Sequence, residues 1–225
     1  MVDTAVKIAW LGLLDSDDAT GSSRAQEHLV RLAQQVVAAS GYGWSIELIS
    51  CGIVPGRRSI SAGVDRVVLP IAGSPRTVWD RVSCALPDTI ADADLVHLHD
   101  GFSRSCDLAL LIAKQAYKPV CVTEWGIEGH WLSSELSLRE LADVIICHDR
   151  SVAETLDTAR PVEVVACDVD IRRLGVPAPW PATHCVAVVD QDPLSSREGS
   201  GYSAAGTLLH AVYRRLIAST RRAAA

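Results

Sequence analysis

Asparagine is absent from the 225 residues, so no N-glycosylation acceptor exists anywhere in the chain. Lysine is scarce, almost every basic position being arginine, and no basic block interrupts a net charge of −6. That balance argues against nucleic acid or an anionic membrane as the main partner. No apolar run is long enough to span a bilayer: the opening stretch MVDTAVKIAWLGLL is only as long as a core strand and has Asp3 and Asp15 on its flanks. It reads as neither a signal peptide nor a membrane span. The seven cysteines are odd in number and never spaced C-x-x-C, and several sit inside apolar runs, so buried thiols in a cytoplasmic protein are expected. No Walker A loop is present.

What is present is an alternation of short apolar runs with amphipathic stretches. Val6 to Leu14 reads as a first strand. The turn-rich DSDDATGSS leads into a helix from about Ser22 to Ala39, whose apolar face is Leu29, Leu32, Ala33, Val36 and Val37. Ser22 or Ser23 suits its N-cap, with Gln26 as capping-box partner of Ser23. Strands are expected at Ser45 to Ser50, Val67 to Ile71, Leu95 to Leu98, Pro119 to Thr123, Val144 to Cys147 and Val162 to Val165. Gly52 to Gly63 reads as a loop. Helices are expected near Pro75 to Ile90, ended or kinked by Pro87, then over the Leu108 to Ala116 region, Ser133 to Leu141 and His148 to Ala159. The pattern predicts a doubly wound parallel α/β sheet. After Cys167 the proline-rich IRRLGVPAPWPATH reads as a linker, followed by one strand, Val186 to Asp190, and one helix, Ser203 to Ala218. That pair is too small for a core of its own and must pack on the main sheet or on another chain. The division is therefore residues 1–177 as a Rossmann-like domain and 178–225 as a linker with a short C-terminal β-α extension.

In an open parallel sheet, ligands bind outside the carboxyl ends of the strands. Two adjacent strands here end in polar residues: one in His97, His99, Asp100 and Gly101, the next in Thr123, Glu124, Trp125 and Gly126. Glu124 and His130 are the candidate acid/base or hydroxyl-binding pair; the alternative is that Glu124 caps a turn and His130 lies on the surface. His97 and His99 share one strand face and are near Asp100, but no further ligand suggests itself, and structural hydrogen bonding is the more ordinary use of such imidazoles. Gly21, Ser22 and Ser23 stand before a helix N-terminus, an arrangement suited to an anion, and Arg24 adds positive charge or is merely solvated. Ser203 in GYSAA falls one glycine short of a nucleophile elbow, and the overlapping G-x-G-x-x-A lacks the strand that should precede it.

Five segments, taken in order, resemble the N-terminal, acceptor-binding half of the retaining GT-B glycosyltransferases of family 4. VKIAWLGLL with its Gly/Ser loop and following helix is similar to that family's opening strand and helix. ADADLVHLHDG resembles "aDvVHvH", KPVCVTEWG resembles "iPvvvT.HG", LADVIICHDRSVAETL resembles "aD.viavS....e.L", and VEVVACDVDIRRLGVP resembles the hinge "v.viPNGVD...F.P". The resemblance implies glycosyl transfer from a nucleoside-diphosphate sugar to a hydroxyl; no other cofactor is expected, and the residues around His97 and His99 give no reason to expect a metal. It places the donor phosphates toward Gly21, Ser22, Ser23 and Arg24, and the acceptor at Glu124 and His130, with His99, Asp100 and Trp125 lining the substrate. Trp125 stands where the family has histidine, and Ala166, Cys167 and Asp168 where it has "PNG". The donor half is nearly absent, so a separate donor-binding subunit, or a homo-oligomer formed through the C-terminal helix, is expected; the alternative is a non-catalytic binding or scaffold protein derived from such an enzyme.

Overall fold

The computed structural model describes residues 5–12, 23–76, 80–99, 103–124, 138–148, 150–165 and 200–223, with side chains described from residue 27 in the first helix and from 204 in the last. Eight strands form one sheet: β1 (Val6–Leu11), β2 (Trp44–Gly52), β3 (Gly56–Ser61), β4 (Val64–Pro70), β5 (Leu95–Leu98), β6 (Val120–Glu124), β7 (Val144–Cys147) and β8 (Val162–Val164), in the order β3-β4-β2-β1-β5-β6-β7-β8. Every neighbouring pair is parallel except the β3–β4 hairpin at one edge. The helices are α1 (Ser23–Ala39), α2 (Leu86–Ala91), α3 (Arg104–Gln115), α4 (Arg150–Thr155) and α5 (Ser200–Ala223), with a 3-10 turn at Leu138–Leu141. The expected doubly wound, Rossmann-like α/β architecture is the observed one. Among the described residues, no helix is long and apolar enough to cross a membrane.

Strand alternation divides the core in two. Ile8, Trp10, Ile46, Leu48, Cys121, Val144 and Ile146 face α1 and α5. Their neighbours Ala9, Leu11, Ile49, Cys51, Val96, Val120 and Val122 face α2 and α3. Both faces are covered, so the central strands are apolar on both sides and read as continuous runs. Aspartates fix the strand starts. Asp94 Oδ2 accepts from the Lys7 backbone N–H at 2.9 Å, and Asp143 Oδ2 accepts from that of Val120 at 2.8 Å while Asp143 Oδ1 takes the Lys114 ammonium, also at 2.8 Å. Each thereby satisfies a backbone donor at the start of the adjacent strand. Buried Glu47 on β2 is compensated by the Lys7 ammonium at 3.0 Å and by Arg57, which also pairs with Asp65 at 3.0 Å. Unpaired, that carboxylate would carry a heavy desolvation penalty. Of the cysteines described, none is in a disulfide; Cys51, Cys106, Cys121 and Cys147 are buried and Cys84 is exposed.

Three local expectations need correction. Gly56–Ser61 is a strand rather than part of a loop: it lies at the sheet edge, mostly exposed, with no apolar alternation to announce it. The helix expected from Pro75 to Ile90 is reduced to Leu86–Ala91, and Pro87 sits in its first turn, where a missing N–H costs nothing, so it opens the helix instead of ending it. The helix expected over His148 to Ala159 spans only Arg150–Thr155. Of the helix at Ser133 to Leu141, the described part is the 3-10 turn; the strand at Val186 to Asp190, the linker before it and the capping-box side chains lie outside the described residues.

The last helix packs on the main sheet. Ala205, Leu209, Val212, Tyr213 and Ile217 join the core beneath α1 and the central strands. Close approach of α5 to α1 depends on Gly206, where an added Cβ would stand 2.5 Å from Gln35 Cβ and 2.9 Å from the Gln35 carbonyl carbon. Backbone cannot yield as a flexible side chain does. Gly206→Ala is therefore expected to lower unfolding stability by about 1–3 kcal/mol, read as a fall in the urea midpoint at unchanged slope.

Candidate functional site

The carboxyl ends of β1, β5, β6 and β7 carry Gly12, His99, Glu124 and His148 in a row along one edge of the sheet. The His99 backbone N–H donates to the Leu11 carbonyl at 2.7 Å, closing the pair β1–β5 at the point where the strand order reverses. A switch point of this kind is where doubly wound sheets open a crevice.

On the α1/α5 face, four imidazoles gather behind this edge: His28 from α1, His97 within β5, His99 after it and His148 after β7. The His97 and His99 rings stand 4.0 Å apart, and Trp10 packs against His99 at 4.5 Å and edge-on to His97 at 5.5 Å. His97 uses both ring nitrogens, Nε2 with the Thr123 hydroxyl at 2.7 Å and Nδ1 with the Tyr213 phenol of α5. One nitrogen donates and the other accepts, which suits a neutral ring. His148 Nδ1 donates to the Val165 carbonyl at 2.7 Å, holding the chain just beyond β8.

Burial governs the ionisation of all four. It pushes His97 and His99 well below the ordinary imidazole range, with the neighbouring imidazoles adding to the effect. His28 is lowered to about 3, by burial first and then by His148 and Arg31. Burial lowers His148 too, opposed by its bond to Val165. Tyr213 and Cys121 move up for the same reason, charge being what the site disfavours. The cluster is thus uncharged near neutral pH. It offers hydrogen bonds and ring faces, and it gives no cation to grip a phosphate. Among the described residues, no group of three or more His, Cys, Asp or Glu side chains is placed to hold a metal.

Glu124 belongs to the opposite face. Alternation sends Cys121 and Thr123 toward α1 and α5, and Val120, Val122 and Glu124 toward α2 and α3, where the Glu124 side chain is 8% exposed at the strand end. Glu124 and the imidazoles therefore flank the sheet edge from two sides. Ser23 and Arg24 open the backbone of α1. Gly21, Ser22, Asp100, Trp125 and His130 lie outside the described residues. His28, His148, Trp10 and Tyr213 were not singled out from the sequence. A signal for His28 existed, because it precedes Leu29 and stands four residues before Leu32, on the apolar face of α1. Nothing local announces Tyr213, whose partner is 116 residues away.

No protein-family model and no curated protein matches this chain. Among solved structures, MurG from Acinetobacter baumannii is similar at 12% identity and a TM-score of 0.40, over 72% of this chain and 45% of MurG. The β subunit of eIF2B from Chaetomium thermophilum is similar at 14% identity and a TM-score of 0.29, over 54% of this chain and 36% of that one. The chain thus spans less than half of either structure, and scores this low carry no argument about activity.

The imidazole cluster has a pH signature. Unfolded histidines take up protons near pH 6.5, whereas the folded ones resist until far lower pH. Stability is therefore full above about pH 6.5 and falls as pH drops toward the folded values, by up to ~1.4 kcal/mol per pH unit for each buried imidazole. Urea unfolding across this range is expected to show proton uptake on unfolding of more than one proton, and His99→Gln is expected to flatten the slope.

Proposed function

We propose that this chain forms the acceptor-side half of a glycosyl transfer site of the GT-B family 4 type, working with a separate unit that binds a nucleoside-diphosphate sugar. The observation supporting this reading is the ordered set of five resembling segments, which fall on β1–α1, β5, β6, β7–α4 and β8 of one parallel sheet. Their polar ends share one edge. In this reading Glu124 engages the acceptor hydroxyl as base or hydrogen-bond acceptor together with His130, His99 borders the substrate from the other face of the strand-end row, and Asp100 and Trp125 complete the substrate-binding set. The loop through Gly21, Ser22 and Ser23 with Arg24 faces the donor phosphates. The reaction moves a sugar from its nucleoside diphosphate to that hydroxyl.

A second reading, a non-catalytic binding or scaffold protein derived from such an enzyme, draws on a different observation. Several residues of the resembling segments are committed to holding the fold: Asp94 and Asp143 bind strand N–H groups, and both nitrogens of His97 are engaged in the core.

The two readings part at Glu124. If the chain takes part in transfer, Glu124→Gln lowers the rate by about 10²-fold or more in the chain paired with its donor-binding unit, while the thermal midpoint stays within a few degrees. If it is a scaffold, the same change is silent in every transfer assay, and neither UDP, GDP nor their sugar nucleotides bind in calorimetric titration with or without the partner.

A further inference from the structure

The α2/α3 side holds a cavity between the segment that follows β4 and the start of α3. The segment that leaves β4 turns back on the approach to α2, pinned where the Ala72 backbone N–H donates to the Val82 carbonyl at 2.8 Å. Between this loop and the first turn of α3 lies a space of about 520 Å³, within the range of small-ligand sites. Ser74, Arg76, Asp80, Val82 and Arg104 contribute to its walls. Three charges stand there, two cationic and one anionic. Arg104 Nη2 lies 3.7 Å from Asp80 Oδ1, close enough for attraction and too far for a hydrogen bond, so Asp80 orients the guanidinium electrostatically. Arg76, exposed on the loop, makes no ion pair among the described residues. Among the described lining residues the cations thus outnumber the anions, on a protein whose net charge is −6.

We propose that this cavity binds a small molecule through a phosphate group, gripped by Arg76 and by Arg104 that Asp80 orients. Two guanidinium forks arriving from separate segments suit a tetrahedral dianion, whose oxygens can receive both, better than a planar carboxylate, which one fork satisfies. The Ser74 hydroxyl adds a neutral donor. Val82 and Pro75 give the rest of the ligand an apolar wall. The site is independent of the glycosyl-transfer reading and stands or falls without it.

The test is a titration of the full chain with inorganic phosphate at constant ionic strength, followed through the arginine Nε–H resonances, with acetate as the parallel probe. The expected result is saturable phosphate binding that shifts two arginine signals and exceeds acetate binding. Arg76→Ala, at an exposed position whose loss leaves no partner stranded, is expected to weaken phosphate about tenfold, the worth of one charged hydrogen-bonding group, with an unchanged unfolding midpoint. The proposal is overturned by the absence of saturable binding, by affinity indifferent to Arg76→Ala and Arg104→Ala alike, or by acetate binding as tightly as phosphate.

Discussion

A phenol, an imidazole and a threonine hydroxyl in line through the interior join the last helix to the centre of the sheet. Tyr213 of α5 meets His97 of β5, and His97 meets Thr123 of β6. Hydrogen bonds this deep contribute only about 1 kcal/mol each when made, but leaving one partner unmade in the same place costs more. The consequence is selectivity of arrangement. An α5 docked elsewhere would leave Nδ1 of His97 and the Tyr213 hydroxyl short of partners in an apolar core, while Gly206 sets how closely the helix can lie on α1. From that seat follow the burial of the four imidazoles, their neutrality, and the closed α1/α5 face behind the strand-end row.

The parts of the fold that were legible in the sequence were those set by local pattern. β1, β5, β6 and β7 are apolar runs buried on both faces, and α1 shows its stripe at Leu29, Leu32, Ala33 and Val36. The parts that were not legible depend on partners distant in sequence. β3 is recognisable only through its pairing with β4, because Arg57, Arg58 and Ser59 face solvent and leave no alternation. Pro87 misled because one residue type both stops a helix and starts one, and only the burial of Leu86 and Ile90 decides between them. At the candidate site the strand ends were legible; the fact that Glu124 and His99 take opposite faces follows from counting residues along two strands in a known register.

The resembling segments now divide by physical role. Asp94 and Asp143 tie down the starts of neighbouring strands, and His97 is a hydrogen-bonded core residue, so any parallel sheet built this way gains from keeping them. Glu124 has a different standing: a nearly buried carboxylate at the carboxyl end of a central strand, beside the switch point, is where an open α/β sheet puts its chemistry. The functional weight of the proposed acceptor role therefore rests on Glu124 more than on the histidine that made its segment recognisable.

Native-state hydrogen exchange tests the central structural claim most directly. If α5 is part of the core through Tyr213 and His97, the amides from Ala205 to Ile217 exchange only by the same global opening that exposes β1, with equal free energies and equal sensitivity to urea. If instead α5 amides exchange through a separate, low-energy opening while β1 stays protected, the helix is an appendage, and the account of a core closed by its last helix is wrong.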